Sequence, residues 1–176
     1  LSVEKSFTLA VTEPSLRINE IVASNGSSLL DEDNIASDWI EIFNEQAGSA
    51  SLNGWYLSDD PDNLTKWTFP AVSIGPNEFL VVFASAKDRS PTDGSHLHTN
   101  FQLSGGGETL FLVKPDGFTI ASQLEFPGVY PDVSYGQDGT NNELGFLQSA
   151  TPGTANSSIA ASVRNEVTFS QGRGLY

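Results

Sequence analysis

Short apolar–polar alternations, each closed by a cluster of turn-forming residues, recur along this chain. Ser6-Phe7-Thr8-Leu9-Ala10-Val11 alternates with period two, the period of a strand that buries one face. Thr12-Glu13-Pro14-Ser15 breaks it. This piece, within residues 1–14, is either the closing strand of a preceding domain or an added edge strand. Leu16 to Val22 forms the next strand, with Leu16, Ile18 and Val22 expected to face one way. Phe79-Leu80-Val81-Val82-Phe83-Ala84 is an unbroken apolar run of strand length, which predicts burial on both faces. Thr109 to Val113 is a further strand, and Phe118 to Ala121 another. Between them sits Lys114-Pro115-Asp116-Gly117. Proline presets the turn backbone and glycine accepts positive φ, so the pair is predicted to form a hairpin.

One stretch supports two periods. Ile35, Trp39, Ile42 and Phe43 have helical spacing, and Asp31 to Asp33 suit a helix start. Read as a strand, Trp39, Glu41 and Phe43 face one side, with Ile40 and Ile42 on the other. The β-branched and aromatic content favours the strand. Many short strands with turns between them predict an all-β sandwich or barrel, and 16 Gly with 9 Pro in 176 residues agrees.

Charge narrows the partners. There are 22 acidic residues against 8 basic ones, a net charge of −14. Such a surface repels phosphate backbones and anionic lipid heads, so nucleic acid is not an expected partner. It suits solubility, cations or a basic protein. The absence of cysteine excludes disulfides, thiolate metal sites and thiol nucleophiles. No apolar run approaches the ~20 residues of a membrane span. A chain that begins at Leu1 and contains no Met is expected to be a processed or excised piece of a longer protein.

Several segments carry a family signature in order. Ile18-Asn19-Glu20-Ile21-Val22-Ala23-Ser24-Asn25 resembles the opening strand of bacterial lamin-tail domains. Ser37 to Asn44, with its Asp-Trp-Ile-Glu core, is similar to a second strand of that family. Leu52-Asn53-Gly54-Trp55-Tyr56-Leu57-Ser58-Asp59-Asp60 resembles a third segment, followed by Lys66 to Pro70. Leu97 to Ser104 and Ser149-Ala150-Thr151-Pro152-Gly153-Thr154-Ala155-Asn156 complete the series. The resemblance covers residues 16–156. It implies an immunoglobulin-like β-sandwich that binds or tethers without catalysis, inside larger extracellular bacterial proteins. The related domain of animal nuclear lamins binds proteins and has been credited with DNA binding, which the acidic balance here argues against. Residues 157–176 are expected to be a linker and the start of a following domain. Asn165 to Tyr176 is similar to the first strand of the C-terminal β-sandwich of chitobiase-like hexosaminidases.

Candidate chemistry lies mainly in acidic loops. From Asp31 to Thr65 there are nine carboxylates and no Lys or Arg. Calcium takes roughly 6–8 oxygen ligands, and Asp31, Asp33 and Asp38 on one loop with Asp59, Asp60 and Asp62 on another are the calcium candidates. Their spacing is not that of an EF-hand. The alternative is that these side chains cap turns. Glu41 sits beside Trp39 and Phe43, so it must be paired or shift its pKa. A salt bridge or hydrogen bond, to Arg17 or Lys66, is expected, and a catalytic acid is the alternative. His96 and His98 would share a strand face and so form a possible metal pair. Trp39, Trp55 and Trp67, with Tyr56 and Phe69, would fill the core or form a sugar-stacking platform.

No G-x-S-x-G, G-x-x-x-x-G-K-[ST] or H-E-x-x-H motif is present. Gly105-Gly106-Gly107 leads into a strand, so a tight turn is expected rather than a phosphate cradle. The expected function is a non-catalytic protein-interaction or tethering module of a bacterial surface or secreted protein. The alternative is a carbohydrate-binding accessory domain of an extracellular hydrolase.

Overall fold

The computed structural model describes residues 16–91 and 95–161, and no helix occurs among them. The early strands are β1 (Leu16–Val22), β2 (Asp38–Asn44), β3 (Ala50–Ser51) and β4 (Tyr56–Ser58). Next come β5 (Trp67–Thr68), β6 (Ser73–Ile74), β7 (Phe79–Ala84) and β8 (Leu97–His98). The last are β9 (Gly107–Val113), β10 (Ile120–Pro127), β11 (Tyr135–Gln137) and β12 (Leu144–Phe146). A six-stranded sheet, ordered β12-β11-β1-β2-β7-β8, packs against a four-stranded sheet ordered β10-β9-β4-β5, with β3 and β6 as a separate ribbon. The architecture is an immunoglobulin-like β-sandwich. The expected strand at Ser6–Val11 and the segment Asn165–Tyr176 lie outside the described residues.

Apolar alternation builds the core between the sheets. Leu16, Ile18, Ile21, Ile40, Ile42 and Val82 come from the six-stranded side. Leu57, Trp67, Leu110, Leu112, Leu124 and Phe126 meet them from the other. Fully burying each such side chain contributes ~1.5–3 kcal/mol relative to leaving it in water. The stretch that also had helical spacing is the strand β2, with Ile40 and Ile42 facing this core and Trp39 in a second cluster with Val22 and Phe83.

Two expectations about faces need correction. The β1–β2 register slips between Ile18 and Glu20. The extra residue of this bulge reverses the alternation beyond it, so Ile21 rather than Val22 joins Leu16 and Ile18 in the main core. In β7, Val82, Phe83 and Ala84 are buried, but Phe79, Leu80 and Val81 are only half-buried. The reason is β8, which is two residues long and pairs in parallel with Val82 and Phe83 alone, leaving the start of β7 at an open margin.

Both predicted turns form. Gly117 takes φ +79° and donates its N–H to the Lys114 carbonyl at 3.0 Å, while Lys114 N–H reaches the Thr119 carbonyl at 2.8 Å. The Asp116 carboxylate accepts from the Phe118 and Thr119 amides and from the Thr119 hydroxyl, and the last of these does most to hold its pKa low. The partner strand starts later than expected, at Ile120, and Phe118 stands 72% exposed on the turn. At the other end of this hairpin Gly107 has φ +96°, and a Cβ there would lie 2.8 Å from the Phe126 carbonyl oxygen, so only glycine fits.

Candidate functional site

The outer face of the six-stranded sheet holds the least expected chemistry. Glu20 and Glu41 stand opposite each other on β1 and β2, and both are fully buried. Glu41 forms neither of the expected contacts with Arg17 or Lys66: Arg17 Nε pairs with Glu45 at 2.5 Å and Lys66 with Asp59 at 2.6 Å. Instead Glu41 accepts from Asn19 Nδ2 at 2.8 Å and from the Gly153 amide at 2.6 Å. Glu20 accepts from the amide of Thr151 at 3.1 Å and from its hydroxyl at 2.9 Å. Asn156 completes the lock. Its Oδ1 accepts from Asn19 at 2.8 Å, and its Nδ2 donates to the carbonyls of Asn19 and Gln137. A side chain at position 136 would collide with Asn19, its Cβ 2.3 Å from the carbonyl oxygen, so Gly136 clears the way for Asn156.

Burial pushes Glu41 up to about 7, against the hydrogen bonds from Gly153 and Asn19, and the nearby Glu20 charge adds to the rise. Burial raises Glu20 as well, opposed by Thr151. A shifted carboxyl pair often marks catalysis, but these two are sealed from solvent and aimed at the backbone of residues 151–153. Their chemistry is to hold that segment onto the sheet.

The acidic loops are tied to cations from elsewhere in the chain. Asp31 receives Lys87 at 2.5 Å, the amides of Asp33 and Ile35, and the Ser37 hydroxyl. Burial works against ionisation here, yet Lys87 and these donors hold Asp31 down to about 2. Asp33 binds Lys87 and Arg89, each at 2.7 Å. Asp38 accepts from the Asn25 amide at 3.0 Å, and burial raises its pKa. Asp59 holds Lys66, and Asp60 accepts from the amide of the exposed Asp62 at 2.9 Å. Burial raises Glu108, opposed by the Ser104 amide, and the Asp59 and Asp38 charges raise it further while Lys66 lowers it. Among the described residues, no group of three or more His, Asp or Glu is arranged to hold a metal ion.

The two histidines both turn towards Glu32. His98 is fully buried, with Nδ1 2.8 Å from the Ser85 hydroxyl and Nε2 2.9 Å from Glu32 Oε1. His96 is half-exposed, lies edge-on to Phe83, and keeps Nδ1 3.7 Å from Glu32. With Lys87 and Arg89 they tie the 29–37 loop to the 85–98 segment.

Trp39, Trp55, Trp67 and Phe69 are all buried, so no flat tryptophan row faces solvent. Tyr56 is half-buried. Besides Leu30, Ile35, Phe118 and Ile120, exposed apolar side chains gather where no expectation placed them. The four-stranded sheet ends at β10, which packs over β1 and accepts the Ile18 amide on Ser122 Oγ at 3.0 Å. The hairpin β11–β12 continues past that edge. Tyr135 and Phe146 pair across it with ring centroids 5.3 Å apart, and Tyr130 lies 6.0 Å from Phe146. Tyr130 is 51% exposed and Leu144 46%. Burial raises the Tyr135 pKa, and the Glu125 charge adds to the rise. β10 pairs with β9, and no other strand among the described residues pairs with its second backbone edge. The sequence signal for this overhang was the pair of glycine-centred triplets, Tyr135-Gly136-Gln137 and Leu144-Gly145-Phe146.

A model of the lamin tail domain family matches residues 10–126. No curated protein matches the chain.

Proposed function

Since the chain belongs to the lamin tail domain family, a non-catalytic immunoglobulin-like family, we propose that it works as an interaction or tethering module of a larger protein. The observation that carries this reading is the open β10 edge beside the aromatic overhang. An unpaired edge offers main-chain donors and acceptors to an incoming strand, and adjacent apolar rings supply side-chain contact. Charge favours a basic partner: residues 115–163 contain Asp116, Glu125, Asp132, Asp138 and Glu143 and no Lys, Arg or His. The partner segment is therefore an extended, positively charged stretch of another protein. A bacterial surface or secreted setting is what the family resemblance implies, and fractionating cells that express the full-length protein tests that placement.

The test is a titration of labelled protein with basic strand-forming peptides, followed by amide NMR. Peptides that bind should perturb residues 120–127 together with Tyr135 and Phe146, and added salt should weaken them. Phe146→Ala should weaken the same peptides. Perturbations confined to other strands, or equal affinity for acidic peptides, would overturn the reading.

A further inference from the structure

The rings of the β11–β12 overhang carry chemistry beyond apolar contact. Tyr135 is in register with Ile21 on one side and with Phe146 on the other. Ile21 belongs to the main core and Tyr135 packs against it, so Tyr135 and Phe146 lie on the inner face of the six-stranded sheet, at its margin. Their rings stand at 80° to one another, and Tyr130 is tilted at 58° to Phe146. Tyr130 is exposed, and the other two are half-buried. The face of an aromatic ring is negative and attracts a cation within ~6 Å of its centroid. The chain uses that contact twice elsewhere, each time with a carboxylate on the cation. Arg17 lies 5.0 Å over Phe43 and pairs with Glu45, and Lys66 lies 5.3 Å over Phe101 and pairs with Asp59. The overhang has rings and negative charge, but residues 115–163 contain no Lys, Arg or His. Burial raises the Tyr135 pKa and the Glu125 charge adds to it, so the field at these rings favours a cation.

Resting on the β10 reading, we propose that Tyr130, Tyr135 and Phe146 receive the guanidinium of an arginine carried by the incoming strand. In the six-stranded sheet β11 follows β1, and β1 packs under β10. A strand added beyond β10 therefore lies over β11–β12 and aims alternate side chains at the rings. A guanidinium is flat and weakly hydrated, so it stacks on a ring face, whereas an ammonium is compact and holds its water. An uncharged apolar side chain would touch the same rings but gain nothing from Glu125 or from a net charge of −14.

The test is an NMR titration of the folded chain with N-acetylarginine amide, its uncharged isostere N-acetylcitrulline amide, and N-acetyllysine amide. The arginine compound should shift the ring signals of all three residues at millimolar concentration, the lysine compound less, and the citrulline compound least. Tyr130→Leu keeps an apolar side chain at an exposed position but removes one ring face, and should weaken the response of the other two rings about threefold. In a basic peptide that binds β10, replacing one particular arginine by citrulline should cost more than the same change at its other positions. The proposal fails if citrulline amide shifts the rings as much as arginine amide, if lysine amide shifts them more, or if Tyr130→Leu responds unchanged. Each of those results is compatible with peptides still perturbing residues 120–127, which would leave the β10 reading standing. Ring shifts with arginine amide but no peptide response along 120–127 would overturn the β10 reading, and with it the strand as the source of the arginine.

Discussion

The two faces of the six-stranded sheet are held by opposite means. The inner face meets the second sheet mainly through aliphatic and aromatic side chains, among them Ile18, Ile40, Ile42, Leu110 and Leu112. The outer face carries Val22, Trp39 and Phe83 at one end, but its middle is Asn19, Glu20 and Glu41, buried and matched to Thr151, Gly153 and Asn156. An apolar contact tolerates small displacements, because its energy follows area. A buried carboxyl does not, because each unmatched oxygen costs more than an ordinary hydrogen bond returns. The inner face therefore supplies most of the stability, and the outer face dictates which segment lies where.

The largest effect expected from breaking this contrast is on the inner face. Leu110→Ala should lower unfolding stability by about 3 kcal/mol, within the ~2–5 kcal/mol seen for buried large-to-small changes, as read by urea denaturation with an unchanged fold. Asn156→Ala, on the outer face, should cost about 2 kcal/mol, since it strips a partner from Asn19 and leaves two carbonyls unmatched. Its distinguishing mark is local: hydrogen exchange at Thr151 and Gly153 should accelerate far more than in β9.

A pH series sharpens the same contrast. Glu41 rises to about 7 in the folded state from an ordinary glutamate value, so the folded protein binds a proton that the unfolded chain does not. Stability contributed by this group is present at mildly acid pH and falls as pH climbs through that window. Stability should therefore fall between pH 5 and pH 8 in urea denaturation, and Glu41→Gln should flatten that fall. Asp31, held down to about 2, acts in the opposite sense, with its contribution present above the ordinary aspartate value and lost below it. The smallest effect concerns calcium. Lys87, Arg89 and Lys66 already neutralise Asp31, Asp33 and Asp59, so melting in calcium and in chelator should give the same Tm. A rise of several degrees in calcium would show that an ion displaces those cations.

The inner face was readable from the chain because alternation is a local property. Strand β2 could be chosen over a helix from residues 38–44 alone, and the Pro-Asp-Gly turn from four positions. The outer face was not readable in the same way. Glu41 finds one partner 22 positions away and another 112 away, and only the sheet order brings them together. The Thr-Pro-Gly-Thr-Ala-Asn stretch could be seen as part of a signature, but its task depends on the bulge at Asn19. That bulge showed only as the doubled polar pair Asn19-Glu20 in the alternation, and it exchanged Val22 for Ile21 in the core. The calcium expectation rested on a stretch without Lys or Arg, and the cations now seated there arrive from positions 66, 87 and 89.

The strand order sets a timetable for synthesis. β1 leaves the ribosome before the other described strands, yet its second neighbour β11 and the latch at Asn156 emerge more than a hundred residues later. Until then Glu20 and Glu41 are without the Thr151 and Gly153 donors that satisfy them in the folded sheet. Shortening the polypeptide at residue 126, where the family match ends, would leave it permanently at that half-closed stage.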